Sequence, residues 1–308
     1  MRLGVVSAIL GSMDFFEAVD CVSSLGYTCM EAACWPGEKA DRRYAGVQHI
    51  NVRALDKAAA KRISSYCTDR NVAISALAFY PNTMGDRPEL VKRHIEHLKF
   101  VMDAAALLEV ETVATFVGRD PRKTVEENLD RFSEVWPPLV EYARTRGIRI
   151  AIENCPMLFS RDEWPGGKNP AFSPAVWRKM FERLPAENFG LNYDPSHFIW
   201  QEMDYISPLY EFREKIFHVH CKDIRLDQSL SLSVEQASYV DGCSRLQSIF
   251  YVMLPCSLSG LISIVIYSFI SSWLSYLIPY AIIMNADLAS IRRPFWPTKG
   301  NSVRTIRN

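Results

Sequence analysis

Over its first 222 residues the chain alternates short apolar runs with longer amphipathic stretches. The apolar runs are Leu3–Leu10, Cys29–Cys34, Val72–Phe79, Thr112–Val117, Ile148–Glu153, Phe189–Tyr193 and Ile216–Cys221. Several are apolar almost throughout, the pattern of strands covered on both faces. Between them apolar residues recur at helical spacing over Phe15–Ser24, Leu55–Arg70, Pro88–Leu108, Val125–Thr145, Pro174–Glu182 and, more weakly, Pro208–Glu214. Ser173 before Pro174 reads as an N-cap with proline at the first helical position. Gly147, just past Arg144 and Arg146, reads as a helix stop. Strand then helix, repeated, implies a parallel sheet. Eight such units close a (β/α)8 barrel of about 250 residues. This chain offers about seven strands, so the pattern predicts an incomplete TIM-barrel-type α/β fold. An open doubly wound sheet is the other arrangement. It needs a glycine-rich phosphate turn after the first strand, where this chain reads Leu10-Gly11-Ser12-Met13.

After Cys221-Lys222-Asp223-Ile224-Arg225 the pattern changes. From Leu246 to Ala286 there are 41 consecutive residues without Asp, Glu, Lys or Arg. Within them, 249–284 is long enough for one membrane span of about 20 residues. The last stretch carries Arg292, Arg293, Lys299, Arg304 and Arg307 against one acid, Asp287. The expected organisation is a barrel over 1–225, a junction at 226–233, a hydrophobic and mainly helical segment over 234–285, and a basic tail over 286–308. Lys+Arg and Asp+Glu are 35 each. That balance argues against a nucleic-acid partner held by a basic face. With 48% hydrophobic and 23% charged residues, disorder and coiled coil are excluded. No CxxC pair occurs among the eight cysteines, which suits buried thiols in a reducing, cytoplasmic setting. The opening MRLGVVSAIL reads as a first strand rather than a signal peptide, because its apolar run is short.

In a (β/α)8 barrel the chemistry lies at the C-terminal ends of the strands. Strand five ends in Glu153, strand six in Asp194, and strand seven reads His218-Val219-His220. Charged groups closing apolar strands are costly unless paired or bound to a cation. Glu153, Asp194 and His220 follow one another at the spacing of adjacent βα units. Two carboxylates and an imidazole suit Mn²⁺, Mg²⁺, Co²⁺ or Zn²⁺. Each residue taken singly is equally readable as a satisfied polar group at a strand end.

The stretches IAIENCPM (150–157), NYDPSHFIW (192–200) and HVHCKDI (218–224) resemble the xylose-isomerase-like TIM barrels, a family of sugar and sugar-phosphate isomerases and epimerases. MEAACWP (30–36), ISALAFYPN (74–82) and ETVATFVGRD (111–120) agree with it. The resemblance implies that Glu153, Asp194 and His220 bind a divalent metal. It implies that His197 contacts substrate or a second metal, and that Glu153 also moves a proton. Such enzymes take a proton from carbon beside a carbonyl while a cation stabilises the enediolate. Trp35, Tyr80, Asn82 and Phe116 fall near the ends of strands two to four, as walls of a sugar pocket or as packing. Lys222 and Asp223 are expected to hold a phosphate or support the ligands, or to form a surface ion pair. The more distant endonuclease IV relatives carry histidines after strands two and three. Here those positions read Trp35-Pro36 and Tyr80-Pro81-Asn82, so DNA repair is not expected. The family also supplies a Glu from strand eight, and the motif resemblance ends before that strand. Turnover is therefore expected to be impaired.

The segment 234–279 has a resemblance of its own. VEQASYVDGCSRLQSIFYVMLP (234–255) followed by LSGLISIVIYSFISSWLSYLIP (258–279) is similar to the permease subunit of sugar ABC importers around its E-A-A loop. Gln236-Ala237-Ser238 stands where E-A-A is usual, with Asp241-Gly242 and Leu254-Pro255 in place. This resemblance implies contact with a transporter ATPase through 234–255 and inner-membrane contact through 249–284. The whole then reads as a gene fusion of an isomerase barrel with a permease fragment, active, membrane-attached or non-functional.

Overall fold

Every apolar run becomes a strand, and most are shorter than their hydrophobic pattern. The computed structural model describes residues 2–37, 45–157, 167–222, 224, 244–255, 257–258, 262 and 264–271. It divides the chain into two compact units, Met1–Leu226 and Asp227–Asn308. In the first, strands β1 (Gly4–Val6), β2 (Cys29–Ala33), β3 (Ala73–Ala78), β4 (Thr112–Thr115), β5 (Arg149–Glu153), β6 (Phe189–Tyr193) and β7 (Ile216–Val219) alternate with helices. These are α1 (Phe15–Ser24), α2 (Lys57–Asp69), α3 (Pro88–Leu107), α4 (Val125–Arg144), α5 (Pro174–Arg183), α6 (Ser196–Ile199) and α7 (Ser207–Glu211). Neighbouring strands pair in parallel in the order β1-β2-β3-β4-β5-β6-β7, as strand–helix alternation requires.

Two differences from the sequence pattern have local causes. The run Leu3–Leu10 is strand only to Val6, and Ser7–Leu10 turns into a 3-10 helix. There the Ser7 hydroxyl accepts from Ala33 N at 2.9 Å and bonds His49 Nδ1 at 2.8 Å, which pulls the chain off the ladder. Ser173 does sit at the N-cap position before Pro174, but its side chain makes no capping hydrogen bond. Gly147 ends the α4 unit with φ 69°, a conformation that glycine adopts without a Cβ clash.

Helices clamp the sheet through large side chains. Phe132 and Trp136 of α4 lie with ring centroids 5.7 Å from Phe189 of β6. Trp177 of α5 is fully buried among Tyr193, Phe198 and Phe212, and its Nε1 donates to Ala171 O at 2.7 Å. The sheet curls strongly. His218 of β7 reaches Ser75 of β3 at 3.1 Å, and His220 beyond β7 reaches Glu31 of β2 at 2.8 Å. Strands four and five places apart in the ladder thus meet across the interior. Among the described residues β1 pairs only with β2 and β7 only with β6, so both keep a free edge. A closed barrel of this kind is filled by side chains. Here a cavity of about 1280 Å³ runs from Arg2, Glu111 and Arg149 at one end to Tyr80, Glu153 and His220 at the other.

In the second unit Arg245–Gln247 is α-helical and Ser248–Met253 π-helical, and helix recurs at 254–255, 257–258, 262 and 264–271. Phe250, Tyr251, Val265 and Phe269 are exposed. Among the described residues no helix is long and apolar enough to cross a membrane; of the span expected over 249–284, residues 272–284 lie outside the described residues. Asp223, the junction 226–233, the Gln236-Ala237-Ser238 and Asp241-Gly242 motifs and the tail 286–308 lie outside the described residues. Cys21, Cys29, Cys34, Cys67, Cys155 and Cys221 are free thiols.

Candidate functional site

β5 carries Glu153 as its last residue, and the carboxylate is buried beside the next strand's end. β6 delivers Asp194 one residue past its last position. Asn154 fixes that turn: its Oδ1 accepts from Asp194 N at 2.7 Å and its Nδ2 donates to Asp194 O at 2.8 Å. Ser196 then donates to Asp194 Oδ1 through its N–H at 2.9 Å and its hydroxyl at 2.6 Å. This turns Asp194 Oδ2 into the site, where it is buried and faces charged side chains. Its charged neighbours are the Lys222 ammonium at 2.5 Å and His197 Nε2 at 3.4 Å. His197 lies on α6 and accepts from Trp200 Nε1 through Nδ1 at 3.2 Å, leaving Nε2 turned towards Glu153 at 3.8 Å.

His220 joins the two sides of the site. Its Nδ1 donates to Glu153 Oε1 at 3.0 Å and its Nε2 to Glu31 Oε2 at 2.8 Å. Tyr80 OH donates to Glu31 Oε1 at 2.8 Å, and Asn192 Nδ2 donates to Tyr80 OH at 3.2 Å. His218 is satisfied separately, by Asn192 Oδ1 at 3.0 Å and Ser75 Oγ at 3.1 Å. Lys222 Nζ also lies 3.4 Å from Glu153 Oε1 and 3.2 Å from His197 Nε2, with half of its side chain exposed.

The electrostatics follow from this pairing. Burial raises the Glu153 carboxyl, but the hydrogen bond and charge of His220, with Lys222 beyond, hold it at about 2. Glu31 is likewise lowered against burial, by His220, His218 and Tyr80. His220 is raised well above the usual imidazole range, because Glu31 and Glu153 outweigh its burial. His197 and His218 are lowered, chiefly by burial. Tyr80 is pushed well up by burial and the two glutamates. Glu31 and Glu153 are thus kept ionised by an imidazolium between them.

Of the residues singled out in the sequence, Glu153, Asp194, His197, His220 and Lys222 converge at one point. Trp35, Tyr80 and Phe116 line the cavity around it. Asn82 does not. Its amide accepts from Arg119 N at 2.8 Å and donates to Arg119 O at 2.8 Å, stapling the loop after β3 to the loop after β4. Asp223 lies outside the described residues. Glu31, His218 and Asn192 join the cluster without having been singled out as site residues. Glu31 carried a readable signal, since an acid within the buried strand CMEAA is as unusual as one ending RIAIE.

The residues fit a divalent cation. Glu153, Asp194 and His197 offer ligand atoms that all lie within 4.8 Å of one another, and Glu31, His218 and His220 form a second such group. Buried carboxylate oxygens gathered around one focus need positive charge beside them, which a cation would supply as the Lys222 ammonium does 2.5 Å from Asp194 Oδ2.

Comparison with known proteins gives the following. The sequence model of the family described as xylose isomerase-like TIM barrel matches residues 19–264. The uncharacterised protein YfiH of Bacillus subtilis is 27% identical over 257 residues, which span 75% of each chain. The probable 3-DHS dehydratase AsbF from Bacillus anthracis superposes with a TM-score of 0.58 at 14% identity, over 75% of this chain and 76% of that one. A D-tagatose 3-epimerase-like protein gives 0.55 at 19%, over 72% and 76%. The IOLI protein with a bound zinc atom gives 0.55 at 17%, over 77% and 78%. At these identities the solved structures speak for the fold. Separately, 54 residues, 18% of this chain, are 40% identical to the inner membrane ABC transporter permease protein YcjP of Escherichia coli, of which they cover 19%.

Proposed function

The chain belongs to the xylose isomerase-like TIM barrel family, and from that premise we propose that it is a metal-dependent isomerase or epimerase of sugars or sugar phosphates. The observation that carries the reading is the buried cluster of Glu153, Asp194 and His197 beside an open cavity, with ligand atoms that all lie within 4.8 Å of one another. Glu153, Asp194 and His220 would hold Mn²⁺, Mg²⁺, Co²⁺ or Zn²⁺. When bound, such an ion polarises the oxygens of a hydroxy-carbonyl substrate and so acidifies the adjacent C–H.

The chain's own groups do the rest. Glu153, held ionised, takes the proton from carbon. Lys222 and His197, lying against Asp194 and Glu153, contact the substrate oxygens or a phosphate. Trp35, Tyr80 and Phe116 wall the cavity and keep water from the reacting carbon. Epimerisation needs a second proton-transferring group on the opposite face of that carbon, and the family draws it from strand eight. Glu31 does not take its place, because both of its oxygens already accept hydrogen bonds. Among the described residues no eighth strand supplies that group, and turnover is expected to be impaired by about 10²–10⁴-fold, as such groups are typically worth.

The 54-residue permease match favours a second reading, in which barrel 1–225 and permease-like 234–285 are a fusion joined at 226–233 with a basic tail over 286–308. Deuterium exchange tests both. The full chain with Mn²⁺ is incubated with ketoses and their phosphates in D₂O, and C–H signals are followed by NMR. The first reading expects slow, metal-dependent loss of the C–H beside the carbonyl, abolished in Glu153→Ala. Metal uptake with no exchange in any substrate would overturn it and leave the inactive hybrid. Exchange at rates ordinary for a complete enzyme would overturn the impairment and the non-functional hybrid together.

A further inference from the structure

We propose that Glu31 is a positioning residue for the metal-binding histidine: it holds His220 by Nε2–H so that Nδ1 is presented to the cation. The proposal rests on the metal reading above. Three observations carry it. The His220 ring is buried between two strand ends, with Nδ1 3.0 Å from Glu153 Oε1 and Nε2 2.8 Å from Glu31 Oε2. Nδ1 is thus the nitrogen on the side of Glu153: a cation shared with Glu153 and Asp194 would take over its bond to Glu153, while Nε2 keeps its bond to Glu31. Glu31 is itself immobilised, buried within β2 and clamped at Oε1 by the Tyr80 hydroxyl, which is held in turn by Asn192. A carboxylate bonded to the far nitrogen of a metal-binding histidine fixes its tautomer and ring orientation and makes it a better donor.

The same residues suggest a competing role, since Glu31, His218 and His220 could together hold a second ion. The hydrogen bonds favour positioning. Both His218 nitrogens already have partners, Asn192 Oδ1 and Ser75 Oγ. A cation between Glu31 and His220 would displace the shorter of the two His220 bonds, 2.8 Å against 3.0 Å to Glu153.

The test uses Glu31→Gln on the full chain. The amide oxygen still accepts from His220 Nε2, and the Tyr80 hydroxyl can rotate to accept from the new NH₂ group. Shape and the bond to His220 persist while the charge goes. Calorimetric titration with Mn²⁺ should give one ion per chain in both proteins, with affinity about 10–100-fold weaker in the variant. A residue that merely packs would leave the affinity unchanged, and that result overturns the proposal. Two ions in the unaltered chain falling to one in Glu31→Gln would overturn it too, by making Glu31 a ligand. No uptake by the unaltered chain would overturn the metal reading itself, and this assignment with it. A second measurement avoids the variant. In the Zn²⁺-loaded chain, ¹⁵N NMR of labelled histidine should show His220 metal-bound at Nδ1 and protonated at Nε2. The reverse assignment would sink the proposal.

Discussion

Glu153, Asp194 and His220 are legible in the sequence because each is a charged or titratable residue closing an apolar run. Glu31 gives the same signal within CMEAA, inside the stretch MEAACWP, but lies far along the chain from Glu153, Asp194 and His220. Its role emerges only when the sheet curls and brings β2 to His220. The pairing has a consequence for stability. Glu153 is a depressed carboxyl, at about 2 against an ordinary value of 4.5. It stabilises the folded state above pH 4.5, and that contribution is lost as pH falls through the folded value. His220 is shifted upward and acts in the opposite sense. Its contribution is present below its unfolded value and is lost as pH rises through the folded one. Urea denaturation of the metal-free chain should therefore show stability falling between pH 4.5 and 2. In Glu153→Gln that acid-side slope should be shallower. An unchanged slope would mean that the carboxylate is not paired as described.

Helices are the most legible elements. α1 matches its predicted bounds, and α3 and α4 stop one residue short of theirs. Strand ends are less legible, because a continuous apolar run does not say where ladder pairing stops. Ser7 and its bonds end β1 early, and α6 is too short to leave a period. Caps show the same limit of pattern reading. Ser173 has the right identity and place yet makes no capping bond, whereas Thr124 forms a full capping box with Glu127 at the start of α4. Thr124→Ala should thus lower the unfolding free energy by about 1 kcal/mol. Ser173→Ala should stay within about 0.5 kcal/mol, as for an ordinary surface change. Equal losses in denaturant titrations would contradict the assignment of the cap.

At the scale of the whole molecule, seven parallel strands carry the site residues to one end of a curled sheet whose first and last strands keep free edges among the described residues. The α/β character and the strand count follow from the alternation of runs. The opening between β1 and β7, and the cavity along it, depend on closure geometry that no local pattern encodes. Free edges are a known route to self-association. A ligand that binds only the folded state stabilises it by about 2.7 kcal/mol at a hundredfold excess over Kd. The most direct measurement is therefore thermal unfolding of the full chain with and without saturating Mn²⁺, beside Glu153→Ala. The account predicts a rise of several degrees in the unaltered chain and none in the variant. Identical melting of the unaltered chain with and without metal would contradict it, as would an equal rise in Glu153→Ala.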